Sequence, residues 1–124
     1  MLLRDKIYSQ LAQVALSDFA DIVEGTRIIE GKLRILLKDE SFIDTWLSAK
    51  KDGVYAYHWE RRNVDGRIFR YNNLPDKEAK RLQTYPKHFH DGTEKNVIES
   101  DLSDNPEEAL RVILGFARKI IQHI

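Results

Sequence analysis

The segment DGVYAYHWERRNVDGRIFRYNN, residues 52–73, constrains the fold more than any other stretch of the chain. Tyr55, Tyr57 and Trp59 alternate with Val54, Ala56 and His58, which is the period of a strand with one buried face. Asp65-Gly66 then precedes RIFRY, and Asp-Gly supplies the positive backbone angles that tight hairpin turns require. A β-hairpin is predicted, with Tyr57 and Trp59 on the core face and His58 and Glu60 on the other. On the returning strand Arg67, Phe69 and Tyr71 share one face, while Ile68, Arg70 and Asn72 share the opposite one. In one register of that hairpin His58 and Arg70 stand side by side.

The flanking segments place this hairpin in an α+β fold. Ile7, Leu11, Val14, Ala15, Leu16, Phe19, Ile22 and Val23 recur at helical spacing, which predicts an N-terminal helix capped by Gly25. The period then changes. Leu33, Ile35 and Leu37 alternate with Lys32, Arg34 and Leu36 as in a half-buried strand. SFIDTWLSAKK predicts a second strand, with a short helix as the alternative; it would set Asp44 on the same side as Phe42 and Trp46. DKEAKRLQ has the composition of a short helix inside a long connection, and NVIESDL that of a last, edge strand. Asn105, Pro106 and Glu108 carry the cap, first-turn proline and capping-box acid of a C-terminal helix. Its apolar stripe is Leu110, Ile113, Leu114, Ala117, Ile120, Ile121 and Ile124. The expectation is one domain over residues 1–124: a mostly antiparallel sheet of about five strands, with the N-terminal and C-terminal helices packed on one face.

Composition excludes whole classes of chemistry. The chain has no cysteine, so disulfides, thiolate nucleophiles and cysteine-ligated zinc are ruled out. No phosphate-loop lysine motif, dinucleotide glycine fingerprint or nucleophile elbow occurs, and no cofactor is expected. The first residues are interrupted by Arg4, Asp5 and Lys6, and no stretch approaches the length of a membrane span. A cytoplasmic, membrane-free protein is the expectation. Net charge is formally zero, but residues 50–90 carry 10 Lys/Arg against 5 Asp/Glu between two acidic flanks. A basic centre of this kind can steer an anionic ligand, unless folding scatters the charges over opposite faces.

The polar residues of that centre are Arg, His, Tyr and Asn. His58 and Arg70 would suit an anionic group, through guanidinium forks and an imidazole that moves a proton near neutral pH. The alternative is a structural pairing of Arg70 with Glu60 or Asp44. His88 and His90 flank Phe89, so an extended backbone projects both imidazoles to one side. Two imidazoles alone do not make a metal site, and no motif supplies a third ligand; no metal is assigned. Acid–base use needs only reach and a suitable pKa. Together these side chains suit metal-independent cleavage of an RNA phosphodiester, with the ribose 2′-hydroxyl as nucleophile. Tyr71 and Phe89 are candidates for base stacking, whereas Tyr57 and Trp59 read as core.

AYHWERRNVDGRIFRYNN followed by LQTYPKHFHDG resembles the TumE-like family of small prokaryotic toxin–antitoxin proteins. The family pattern is a Tyr- and Trp-bearing strand, a hairpin turn and Arg-Tyr/Trp-Asp-Asn. A variable loop follows, then Thr-Phe/Tyr-Pro-His-His-x-His. Arg70, Tyr71 and Asn73 match the first motif; Thr84, Tyr85, Pro86, His88 and His90 match the second. The family's aspartate is Asn72 here, and the first histidine of its triplet is Lys87. The likeness extends over roughly residues 25–123. It implies a toxin held by a co-expressed antitoxin of helix-turn-helix type, with RNA as a candidate target and a homodimer left open. The expected catalytic set is Arg70, His88, His90 and His58, with Tyr71, Asn72, Asn73 and Lys87 binding substrate. The competing expectation is a non-catalytic nucleic-acid- or protein-binding module.

Overall fold

The computed structural model describes residues 3–123; Met1, Leu2 and Ile124, the last residue of the expected apolar stripe, lie outside them. Helix α1 (Leu3–Asp18) leads into seven strands: β1 (Val23–Ile29), β2 (Lys32–Leu37), β3 (Phe42–Leu47), β4 (Tyr55–Arg61), β5 (Arg67–Asn72), β6 (His88–Gly92) and β7 (Val97–Glu99). Helix α2 (Arg62–Asp65) is a single turn between β4 and β5, and helix α3 (Pro106–Gln122) closes the chain. Each strand pairs antiparallel with the next in sequence, giving one seven-stranded meander. The α+β class and the two flanking helices are as expected; the sheet has seven strands rather than about five.

The two additional strands have separate causes. The N-terminal helix ends at Asp18, not Gly25, and Ile22 and Val23 turn into the buried start of β1. An apolar pair at that spacing serves a helix stripe or a strand entry equally well, so periodicity alone could not place the boundary. Gly25 lies in β1, where the pairing register shifts after Val23, rather than capping a helix. The other additional strand is β6. It is the HFHDG run itself, whose alternation is too short and too polar to stand out.

The hairpin of β4 and β5 has the register that sets His58 directly opposite Arg70. Its connection is the α2 turn ending on Gly66 at φ +79°, a left-handed conformation that glycine adopts without a side-chain clash. Helices α1 and α3 cover one face of the sheet. Tyr57, Trp59, Phe69 and Phe89 point into this core, and the Phe116 ring of α3 stands edge-on to Trp59, Phe69 and Phe89 at centroid distances of 5.0–6.0 Å. Asn105 caps α3 as expected, its side chain accepting from the Glu108 N–H at 3.0 Å.

The opposite face carries the polar residues. Across five neighbouring strands, Arg34, Asp44, His58, Arg70 and His90 are successive cross-strand partners. At the β6–β7 end this face is roofed by residues 73–87, which contain a 3-10 turn (Lys77–Ala79). The roof rests on a small apolar cluster of Ala79, Leu82 and Val97, with Tyr85 against it. Hydrogen bonds secure it further: Arg81 donates to the Val97 carbonyl at 2.6 Å, and the Thr84 N–H and hydroxyl donate to Glu99. Among the described residues, no helix is long and apolar enough to cross a membrane.

Candidate functional site

The cross-strand row accounts for a carboxylate at Asp44 on the same side as Phe42 and Trp46. Arg34 donates from Nε and Nη2 to its two carboxylate oxygens at 2.8 and 2.9 Å, and the same guanidinium lies 3.9 Å from the Phe42 ring centre. Asp44 is thus paired on its own side of the row and does not pair with Arg70.

Arg70 is held by two partners instead. Its Nη1 and Nη2 donate to Glu94 at 2.8 and 2.6 Å, and its Nε donates to Nδ1 of His58 at 3.1 Å. Glu94 sits in the turn between β6 and β7 and reaches back over the sheet. Arg62, at the start of α2, joins the same carboxylate at 3.2 Å. The two carboxylate oxygens thus occupy the guanidinium fork as two oxygens of a phosphate would. Hydrogen bonds from Arg70 hold the Glu94 carboxyl below the usual range.

His58 is fixed in one tautomer by these contacts. Nδ1 accepts from Arg70, so Nε2 carries the proton and donates to Glu60 at 3.1 Å. Burial lowers its pKa, with the neighbouring Arg70 charge adding to the effect and the Glu60 hydrogen bond opposing it. Lys32, Trp46, Ala56 and Arg62 join His58 and Arg70 around a cavity of about 460 Å³ on this face.

Beside this cavity lies a second group, under the roof. His88 and His90 are both buried, with ring centres 5.0 Å apart. Each Nδ1 hydrogen-bonds a backbone carbonyl: His88 to Pro86 at 2.8 Å, and His90 to Glu94 at 2.9 Å. The roof brings Asp76 to them, with Oδ2 at 3.6 Å from His88 Nε2 and 4.0 Å from His90 Nε2. Asp76, Glu94 and Arg62 had not been expected at the site. They lie in loops or a single helical turn, and only the fold brings them to the histidines and Arg70.

The remaining expected residues are placed elsewhere. Tyr71 turns to the helix side and stacks on Phe89 at 4.2 Å, where burial pushes its hydroxyl up to about 12. Asn73 accepts from the Tyr55 N–H and donates to the Gly53 carbonyl, joining β5 to the β3–β4 connection. Lys87 donates to the Leu102 carbonyl and pairs with Asp104. Asn72 is buried beside His88 in the pairing, and its side-chain oxygen accepts from the Leu74 N–H. The fold therefore gathers Arg70, His58, His88, His90 and Asn72 on one face and leaves Tyr71, Asn73 and Lys87 away from it. The basic centre is divided as well. Arg61 is buried between Asp39 and Asp65, Arg67 pairs with Asp65, and Arg62 and Arg70 face the cavity.

The family model described as Toxin TumE matches residues 4–123, which takes in helix α1 from its second residue. No curated protein and no solved structure matches the chain.

Proposed function

Since the chain belongs to the Toxin TumE family, we propose that it is the toxin of a toxin–antitoxin pair and acts on RNA as an endoribonuclease. The observation that carries this reading is the juxtaposition of Arg70 and His58 on an open, polar sheet face. A carboxylate already sits in the Arg70 fork, and a phosphodiester offers the same pair of oxygens. With Glu94 displaced, Arg70 and Arg62 bind the scissile phosphate and stabilise the charge that develops on it. The neutral His58 ring, released from Arg70, accepts the proton of the ribose 2′-hydroxyl at Nδ1. Attack of that hydroxyl on phosphorus forms the new O–P bond of a cyclic phosphate and breaks the bond to the 5′-oxygen of the next nucleotide, which leaves with the proton that His58 took up. The step needs only side chains of this face. His88 is wholly enclosed, and His90 nearly so, which suits them to holding the site rather than touching RNA.

A cognate antitoxin, of helix-turn-helix type, restrains the toxin in this reading. The second reading is a binding module without catalysis, favoured by the engagement of all three Arg70 guanidinium nitrogens by Glu94 and His58. Regulated expression in a bacterial host, with sequencing of RNA ends, separates them. New RNA termini accompanying growth arrest, lost in Arg70→Ala and His58→Gln at unchanged protein level, support the ribonuclease. Arrest without new termini supports the binding module.

A further inference from the structure

We infer that Asp76, His88 and His90 form a binding site for one divalent transition cation of the Zn²⁺ class, which fastens the roof of residues 73–87 to strand β6. The inference uses residues outside the Arg70–His58 pair and does not rest on the ribonuclease reading.

The hydrogen bonds decide which nitrogens are available. A carbonyl only accepts, so the bonds to Pro86 and Glu94 put the proton on Nδ1 of each ring. In the neutral rings both Nε2 atoms therefore carry lone pairs. The pattern, one ring nitrogen donating to a backbone carbonyl and the other left free, is the one that orients histidine ligands in metalloproteins. His88 Nε2 is fully buried and makes no hydrogen bond. Asp76 is prepared similarly: Oδ1 accepts from the Glu78 N–H at 3.0 Å, which leaves Oδ2 facing the imidazoles.

Two lone pairs on buried imidazoles and the oxygen of a partly exposed carboxylate that converge on one point repel one another unless a cation lies between them. The ligand atoms all fall within 4.8 Å of one another. Metal–ligand bonds of about 2.0–2.1 Å around a tetrahedral ion separate its ligands by roughly 3.3 Å. The 3.6 and 4.0 Å separations to Asp76 need contractions of roughly 0.3 and 0.7 Å, and the two imidazole nitrogens, within 4.8 Å of each other, must close by up to about 1.5 Å, which side-chain rotation of Asp76 and the rings supplies. The separations to Asp76 exceed the length of a direct hydrogen bond, so a shared proton fits less well. Two imidazoles with one carboxylate select Zn²⁺ or a neighbouring transition ion over Mg²⁺ or Ca²⁺, which prefer all-oxygen shells. Lys87, just before β6, is held by the Leu102 carbonyl and Asp104 and stands apart from this cluster.

The cation would supply what the roof otherwise lacks, because the roof's apolar anchorage is small. The test uses the untagged full chain after chelation, titrated with Co²⁺ and then Zn²⁺. Visible absorption reads Co²⁺, and melting temperature reads both ions. Saturation at one ion per chain is expected, with a raised melting temperature and loss of colour as Zn²⁺ displaces Co²⁺. Asp76 is partly exposed, so Asp76→Asn is the variant best suited to keep the fold, checked by circular dichroism. It should weaken binding by at least about 10- to 100-fold, the cost of losing even an outer-layer partner of a metal ligand. His90→Gln should do the same. Absence of Co²⁺ absorption together with an unchanged melting temperature overturns the site. So does binding that survives in both variants, which would place the ion at another histidine such as His123.

Discussion

Glu94 occupies the guanidinium fork of Arg70 with both carboxylate oxygens, at 2.8 and 2.6 Å. The acceptor comes from a turn 24 residues further along the chain, and its side chain is about half exposed. An acid in that position competes with any anion for Arg70. Glu94→Gln should therefore tighten binding of a single-stranded oligoribonucleotide by about 1.4- to 5-fold, since a half-exposed ion pair is worth roughly 0.2–1 kcal/mol. Arg70→Ala should weaken the same binding. Fluorescence anisotropy on a labelled oligonucleotide measures both, at fixed salt because phosphate contacts are screened. Weaker binding by Glu94→Gln would mean that the acid orients Arg70 rather than blocking it.

The neighbouring contact gives a pH signature. Burial lowers the His58 pKa in the folded protein, whereas the unfolded chain has an ordinary imidazole near ~6.5. As pH falls below that value the unfolded chain takes up the proton first. The contribution of His58 to stability is thus complete above the unfolded pKa and is lost as pH falls through the folded one. Wild-type stability in urea should decline between about pH 7.5 and pH 5.5 more steeply than that of His58→Gln. Equal slopes in the two proteins would contradict this account.

The part of this face that sequence alone revealed is the part built on strand alternation. Period two turned Tyr57 and Trp59 to the core and allowed one register in which His58 stands beside Arg70, and that register is the one the hairpin adopts. Helix α3 was equally plain because Asn105 and Pro106 announce its start. Phe19, Ile22 and Val23 misled because apolar residues at a helix end and at a strand entry look alike. Asp76 and Glu94 carried no signal. Each is a lone acid in a loop, and its value arises only when residues 73–87 fold over the sheet or the β6–β7 turn curls back. The face a strand residue takes can be inferred from pattern, whereas a loop's reach depends on tertiary packing.

Arg61 shows a similar contrast on the core side. It is fully buried, donates to Asp39 at 2.6 Å and Asp65 at 2.9 Å, and lies 4.5 Å from the Trp59 ring centre. Removing one partner of a buried ion network leaves charges uncompensated, so Arg61→Ala should cost about 3–5 kcal/mol. Arg61→Met, which keeps an unbranched stem against Trp59, should recover part of that loss. Burial works to raise the Asp39 and Asp65 carboxyls, but hydrogen bonds from Ser41, Arg67 and Arg61 hold both lowered. Their contribution is complete above the unfolded value near ~3.9 and lost as pH falls through the folded ones. Urea denaturation at neutral and acid pH tests both points: the gap between wild type and Arg61→Ala should narrow in acid.

The aromatic residue best placed to meet a base is Trp46, not Tyr71. Tyr71 is committed to Phe89 on the helix side, whereas Trp46 lines the cavity that also holds Arg70 and His58. The chain has two tryptophans, and the other, Trp59, is buried with its Nε1 donating to Ser41 at 2.9 Å. Any change in tryptophan emission on RNA binding should therefore come from Trp46. Titration with an oligoribonucleotide should quench emission in the wild type and leave Trp46→Phe nearly unchanged. Base–aromatic stacking is worth ~1–3 kcal/mol, so Trp46→Ala should lose roughly 5- to 150-fold in affinity. Tyr71→Phe should bind as the wild type does, since its hydroxyl lies on the far side of the sheet. Retained affinity in Trp46→Ala, with loss in Tyr71→Phe, would move the RNA-binding surface to the helix side.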